Sequence, residues 1–281
     1  VAVVTVEPVS GRAELRRFVE FAYQQFRDES RWTPSPVAAE RARLDPHRNP
    51  YFERGDGEYF LARRNGVVAG RITAHVAAPD DAQGWFGFFD VVDDPEVTSA
   101  LLERTAGWLR ERGCTSMTGP ASFTTADDPG VLVDGDDVAG TTGRPWHPAW
   151  YAAHLSAAGL TPCGEYRTWR LPAVAGPVPA TAPGRPGVVG RFADPRLVLG
   201  GIVAVPDLTP ARGSTMTLAR RGSRHKWDGC TIVRVDGSPA VLVPQLQAAA
   251  AAAGYQWVIS PWTPDPTAPP ETVHARFTRQ L

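Results

Sequence analysis

The chain has 281 residues, 43% hydrophobic and 21% charged, enough to bury one large core or two ordinary ones. Its 29 basic and 30 acidic side chains nearly cancel, which excludes an overall field toward nucleic acid or an anionic membrane. Three widely spaced cysteines, Cys114, Cys163 and Cys230, make neither a disulfide framework nor a metal-ligand pair; with no apolar run long enough to span a bilayer and no signal-peptide pattern in VAVVTVEPVS, the expected setting is the cytoplasm.

In chain order, SGRAELRRFVEFAYQQFRD places Leu15, Phe18, Val19, Ala22 and Phe26 at helical spacing behind Ser10, which predicts an amphipathic first helix. A proline-interrupted stretch holds a short second helix at 36–44. Two β-like runs around Asn65 and Gly66 carry the strongest hairpin signal in the chain. Residues 84–92 read as a strand and 95–112 as a helix ending at Gly113. The strand CTSMTGPAS, a loop rich in Asp and Gly, a helix near 148–158 and a strand pair in 161–171 follow.

From Pro172 to Gly190 the composition is proline-rich and aperiodic, which predicts a linker. The expected organisation is a first domain at 1–171, a linker at 172–190 and a shorter αβ half at 191–281. In that second half RLVLGGIVAV, GCTIVRVD, YQWVISPW and VHARFTRQL read as strands, with a helix after Pro239.

This order, with the runs FVEFAYQQFRD, LDPHRNPYFERG, YFLARRNGVVAGRI, GFFDVVDDPEV and ALLERTAGWLRERGC, resembles the GNAT N-acyltransferase superfamily, and specifically an atypical bacterial form with two fused αβ halves. The resemblance implies an α/β fold with a mixed sheet, a GNAT domain first and a shortened GNAT-like half second. In GNAT proteins two parallel strands splay apart and free backbone groups for a pantetheine arm. By that resemblance Phe89, Asp90, Val91 and Val92 flank the pantetheine and Ser122 on the next strand sits near the thioester.

One departure stands out. Where GNAT enzymes carry a glycine-rich pyrophosphate loop, this chain has DDPEVTSA, with Asp93, Asp94 and Glu96 where a diphosphate needs positive charge. The second half offers VDGSPAVLV, with acidic Asp236. Three readings follow: acyl-CoA bound through other contacts, an acyl group delivered on the phosphopantetheine of a carrier protein, or a non-catalytic binding or scaffold protein. No cofactor is expected to be bound permanently, and no metal. Arg220, Arg221, Arg224 and Lys226 form the densest basic cluster, a docking surface for an acidic acyl or peptidyl carrier protein or simply a solvated loop.

Amine acylation needs a base, oxyanion donors and an acid for the departing thiolate. The resemblance places Tyr151 as the thiolate's proton donor and Asp90 as a base acting directly or through water. His147 and His154 are further candidate bases, His75 a weaker one, and Trp150 a packing residue. The expected function is an N-acyltransferase acting on a small-molecule amine, with specialised metabolism as one setting.

Overall fold

The computed structural model describes residues 3–33, 35, 37–79, 81–124, 128–140, 144–176, 198–199, 202–206, 229–235, 239–261, 263 and 265–281. It opens on a strand missing from the expected order, β1 (Val4–Pro8), then α1 (Gly11–Gln25), α2 (Val37–Arg43) and a 3-10 turn (Pro50–Glu53). The predicted hairpin is β2 (Asp56–Arg64) and β3 (Val67–Val76), and both residues of its turn, Asn65 and Gly66, have positive φ (51° and 81°). That pair of left-handed residues matches the twist of two antiparallel strands, which is why Asn-Gly signals a hairpin.

Next come β4 (Gln83–Val91), α3 (Pro95–Arg110) and β5 (Ser116–Gly119). The predicted strand CTSMTGPAS is shorter than expected, because Pro120 has no N–H with which to continue the ladder; Ser122 therefore lies beyond the strand rather than on it. The Asp- and Gly-rich segment read as loop contains β6 (Val131–Asp134), and α4 (Trp150–Ala157) follows.

Alternation along β2 separates two cores. Phe60 and Ala62 join Leu101, Leu102 and Leu109 of α3 on one face, while Leu61 turns to Phe18, Val19, Phe88 and Phe123 on the other. Each fully buried leucine contributes about 1.5–3 kcal/mol. Gly70 allows α3 to sit close, since a Cβ there would lie 2.7 Å from Leu101 Cδ1.

The strand pair expected in 161–171 is one continuous strand, β7 (Thr161–Pro172), because its partner comes from the far end of the chain. The second half contributes β8 (Val198–Leu199), β9 (Ile202–Pro206), β10 (Gly229–Val235), α5 (Pro239–Ala252), β11 (Trp257–Ser260) and β12 (Thr272–Gln280). The hydrogen-bonded order is β1-β2-β3-β4-β5-β12-β7-β11-β10-β9-β8, with β6 also on β12. Strand β12 thus lies between β5 and β7 of the first half, and β7 bonds β12 along residues 161–168 and β11 along 169–172. Among the described residues two neighbouring pairs are parallel, β4 with β5 and β10 with β11, each over three residues, so the two halves repeat one local arrangement within a mixed α/β sheet.

The second core is built by Val243, Leu246, Ala249 and Ala250 of α5 against Leu171 and Val258. Residues 177–190 of the expected linker lie outside the described residues; β7 before it is hydrogen-bonded to β11 and β12 from the second half. No helix among the described residues is long and apolar enough to cross a membrane.

Candidate active site at the bulge of β4

Strand β4 pairs with β3 through Arg71↔Asp90 and Thr73↔Gly87, so Phe88 and Phe89 together oppose Ile72. This is a β-bulge, and Phe88 within it takes the left-handed conformation (φ 44°). On its other side β4 follows β5 only from Gln83 to Trp85. Beyond that point Ala121 N–H reaches Phe86 O (2.8 Å), and Phe88 N–H reaches the Ser122 hydroxyl (3.2 Å). Gly87 permits the approach: a Cβ there would lie 2.2 Å from Ala121 O.

The bulge borders a cavity of about 70 Å³, with Tyr23, Thr33, Glu40, Arg71, Asp128 and His147 among its lining residues besides Phe88, Phe89, Asp90 and Ser122. A volume of this size holds a few water molecules or a small polar head group. Its charged wall is one connected network. Arg71 Nε donates to Asp90 (2.7 Å) and Arg71 Nη1 to Glu40 (3.0 Å) and to Phe18 O (3.1 Å). Arg43 Nη2 donates to Asp128 (2.7 Å), and its guanidinium lies over the Phe88 ring. Burial works against the Arg71 charge, but Asp90 and Glu40 outweigh it and hold its pKa above the ordinary arginine value. Burial also opposes ionisation of Asp128, and Arg43, Ser122 and Arg144 reverse that, leaving its carboxyl below the usual range.

Two expected site residues meet at the inner end of β4. Tyr151 is fully buried, and its hydroxyl accepts the Val91 N–H at 3.0 Å. Its ring packs edge-on to Phe89 and tilted against His147. Burial, with Asp90 nearby, keeps the phenol protonated well above its ordinary range. His147 Nδ1 accepts the Leu132 N–H (3.2 Å), and burial lowers its pKa to about 4 against the opposing effect of Asp128. A neutral imidazole that accepts at Nδ1 carries its proton on Nε2.

The acidic turn after β4 closes on itself. Asp94 accepts from the N–H groups of Glu96 (3.0 Å) and Val97 (3.2 Å), capping α3, while Arg64 pairs with Asp94 (2.5 Å) and Glu96 (2.7 Å). Burial pushes the Asp94 carboxyl up, but Arg64 and the two N–H groups prevail and hold it below its usual value. The helix N-terminus that would face a diphosphate is thus occupied by the chain's own carboxylate.

Asp90, Phe89, Ser122 and His147 therefore meet at one cavity, with Tyr151 behind them. Val91 is buried in the core and Val92 N–H bonds Ala69 O (2.9 Å). His154 links α4 to the acidic turn, with Nε2 3.1 Å from Asp93 and Nδ1 3.3 Å from the Thr98 hydroxyl, and Trp150 stacks on Tyr151 and His154. His75 is boxed by Tyr51 and Phe123, away from the cavity lining, and burial lowers its pKa to about 3. Arg220, Arg221, Arg224, Lys226 and Asp236 lie outside the described residues. Sequence reasoning missed Glu40, Arg43, Arg71 and Asp128; the available signal was an arginine in the middle of the β-like run VVAGRITAHV.

No family model matches the sequence. Protein YghO of Escherichia coli (strain K12) is 30% identical over 151 residues, 52% of this chain and 38% of that protein. A bacterial ceramide synthase of Caulobacter vibrioides is 34% identical over 141 residues, 48% of this chain and 36% of that protein. The matched part is thus little more than a third of either relative's length. Among solved structures, a tandem GNAT protein from the clavulanic acid biosynthesis pathway superposes with a TM-score of 0.55 at 10% identity, covering 99% of this chain and 98% of that one. The mixed sheet, the bulged β4, the brief parallel contact with β5 and its repetition in the second half agree with that likeness: the chain has the two-half GNAT fold.

Proposed function

We propose that this protein is an N-acyltransferase that moves an acyl group from a pantetheine thioester to a small amine, with the cavity at the β4 bulge as the reacting centre. The observation that carries the reading is the cavity wall. Three carboxylates, Glu40, Asp90 and Asp128, line it with the Arg71 guanidinium, a polar setting that favours a cationic ammonium over an anion. The ceramide synthase relative supports the reading, since a ceramide is an amide made by acylating an amine.

In the reaction the amine nitrogen attacks the thioester carbonyl, the C–S bond breaks, and the nitrogen gives up a proton. In this reading Asp90 receives that proton, directly or through water. Tyr151, protonated at any working pH, is the donor for the departing thiolate once its O–H turns away from Val91 O, to which it donates at 3.4 Å. The Asp94 cap favours a donor with a single phosphodiester, the phosphopantetheine of an acyl or peptidyl carrier protein, over CoA held by its diphosphate.

Incubation of the full chain with an amine panel and either acyl carrier protein or acyl-CoA, read by mass spectrometry, tests both parts. Amide formed faster from the carrier is the expected result. Faster transfer from CoA would overturn the carrier preference, and no amide from either donor would overturn the enzyme reading. The alternative, a non-catalytic binding protein, draws on the Tyr151 hydroxyl already filling the Val91 N–H. It predicts carrier or amine binding without turnover.

A further inference from the structure

Resting on the acyl-transfer reading, we propose that His147 is the donor that polarises the acyl carbonyl, giving its Nε2–H to the carbonyl oxygen and keeping its proton throughout. Three observations lead there. The Leu132 N–H occupies Nδ1 at 3.2 Å, so the lone pair a base would use is already engaged and the free position on the ring is a donor. His147 is 5% exposed and lines the cavity beside Ser122, Asp128 and the bulge residues Phe88 to Asp90. The ring is wedged between Tyr151 and His274, at centroid separations of 5.2 and 6.2 Å, which fixes its plane, and among the described residues no hydrogen bond engages Nε2.

A ring N–H without a hydrogen bond among the described residues, on a side chain that lines a polar cavity, calls for an acceptor oxygen there. The thioester carbonyl is that oxygen. As the amine nitrogen bonds to the carbonyl carbon, the C=O π pair moves onto oxygen, and the Nε2–H hydrogen bond strengthens as that charge grows. The C–S bond then breaks, the π bond re-forms, and His147 is unchanged. The titratable groups around the ring are Asp128, Tyr151 on α4 and His274 on β12. Burial holds His274 neutral, with a pKa of about 3, and its Nε2 bonds Pro145 O at 2.9 Å. The low pKa of His147 agrees with an imidazole that acts without ionising.

The test uses the full chain and an unreactive ketone analogue of acyl-pantetheine in which CH2 replaces sulfur. Long-range 1H–15N correlation on the free protein is expected to show His147 neutral and protonated at Nε2 from pH 5 to 8. The ¹³C carbonyl resonance of the bound ketone is expected to move downfield in the wild type and not in His147→Ala. In turnover, His147→Ala should lower kcat by about 10²–10³-fold with little change in KM, and His147→Gln, which keeps an N–H donor, should recover part of that loss. A ring protonated at Nδ1, or an unshifted ketone in a wild type that transfers acyl groups, would overturn the proposal. A shifted ketone with no transfer to any amine would leave the His147 contact standing and sink the acyl-transfer reading instead.

Discussion

The hydroxyl of Tyr151 accepts a hydrogen bond from the Val91 N–H at 3.0 Å, joining α4 to the end of β4 next to the cavity. Tyr151→Phe leaves that buried N–H without a partner, which costs about 1–3 kcal/mol. Urea denaturation should register this loss. If Tyr151 also protonates the thiolate, the same variant lowers kcat more than donor affinity, whereas unchanged turnover would remove it from that role.

Arg71 is the hub of the cavity wall, held by Asp90 at 2.7 Å and Glu40 at 3.0 Å. Arg71→Met strands two buried carboxylates and is expected to destabilise the protein by about 3–5 kcal/mol. Adding Glu40→Gln and Asp90→Asn removes the stranded charges and should restore much of that stability. Guanidinium unfolding of the single and triple variants checks the prediction, and an equally unstable triple variant would contradict it.

Asp94 caps α3 through Glu96 N–H and Val97 N–H. Asp94→Ala should cost about 0.5–2 kcal/mol, the usual value of such a cap. Its folded pKa is depressed, so the contribution is present above the unfolded carboxylate value and is lost as pH falls through the folded one. The stability difference between wild type and Asp94→Ala, followed from pH 7 to pH 2, should therefore shrink toward acid.

His75, His147 and His274 are buried neutral, with pKa values of about 3, 4 and 3. Their folded values lie below that of an unfolded histidine, so the unfolded chain takes up protons first as pH falls. Stability is present above about pH 6.5 and declines toward pH 4, by up to about 1.4 kcal/mol per pH unit for each histidine. His75 sits among Tyr51 and Phe123 with Nε2 unpartnered among the described residues, so His75→Phe should flatten that decline. Melting temperature against pH gives the comparison, and an unaltered slope would rule out His75 as a contributor.

The fold of the first half was largely legible because local periodicity carries it. The Asn65-Gly66 turn, the apolar stripe of α3 and the aromatic run of β4 each announce their element within a few residues. The missed strands β1 and β6 are short and pair with β2 and β12, so nothing near them in the sequence advertises the pairing. The same limit applied to the site. Asp90 and Tyr151 became candidates through the resemblance and His147 through its residue type, but Glu40, Arg43, Arg71 and Asp128 come from α2, β3 and a loop, and only packing brings them together.

By itself the sequence determined the types of α1 to α4 and of β2 to β5 and the acidic start of α3, because propensity, turn chemistry and charge act over a few residues. Only the tertiary structure decided that β12 lies between β5 and β7, that 161–171 is one strand, and that the Leu132 N–H occupies Nδ1 of His147. Those outcomes depend on which backbone groups find partners across long separations, and a strand's own residues specify that it needs a neighbour without specifying which one.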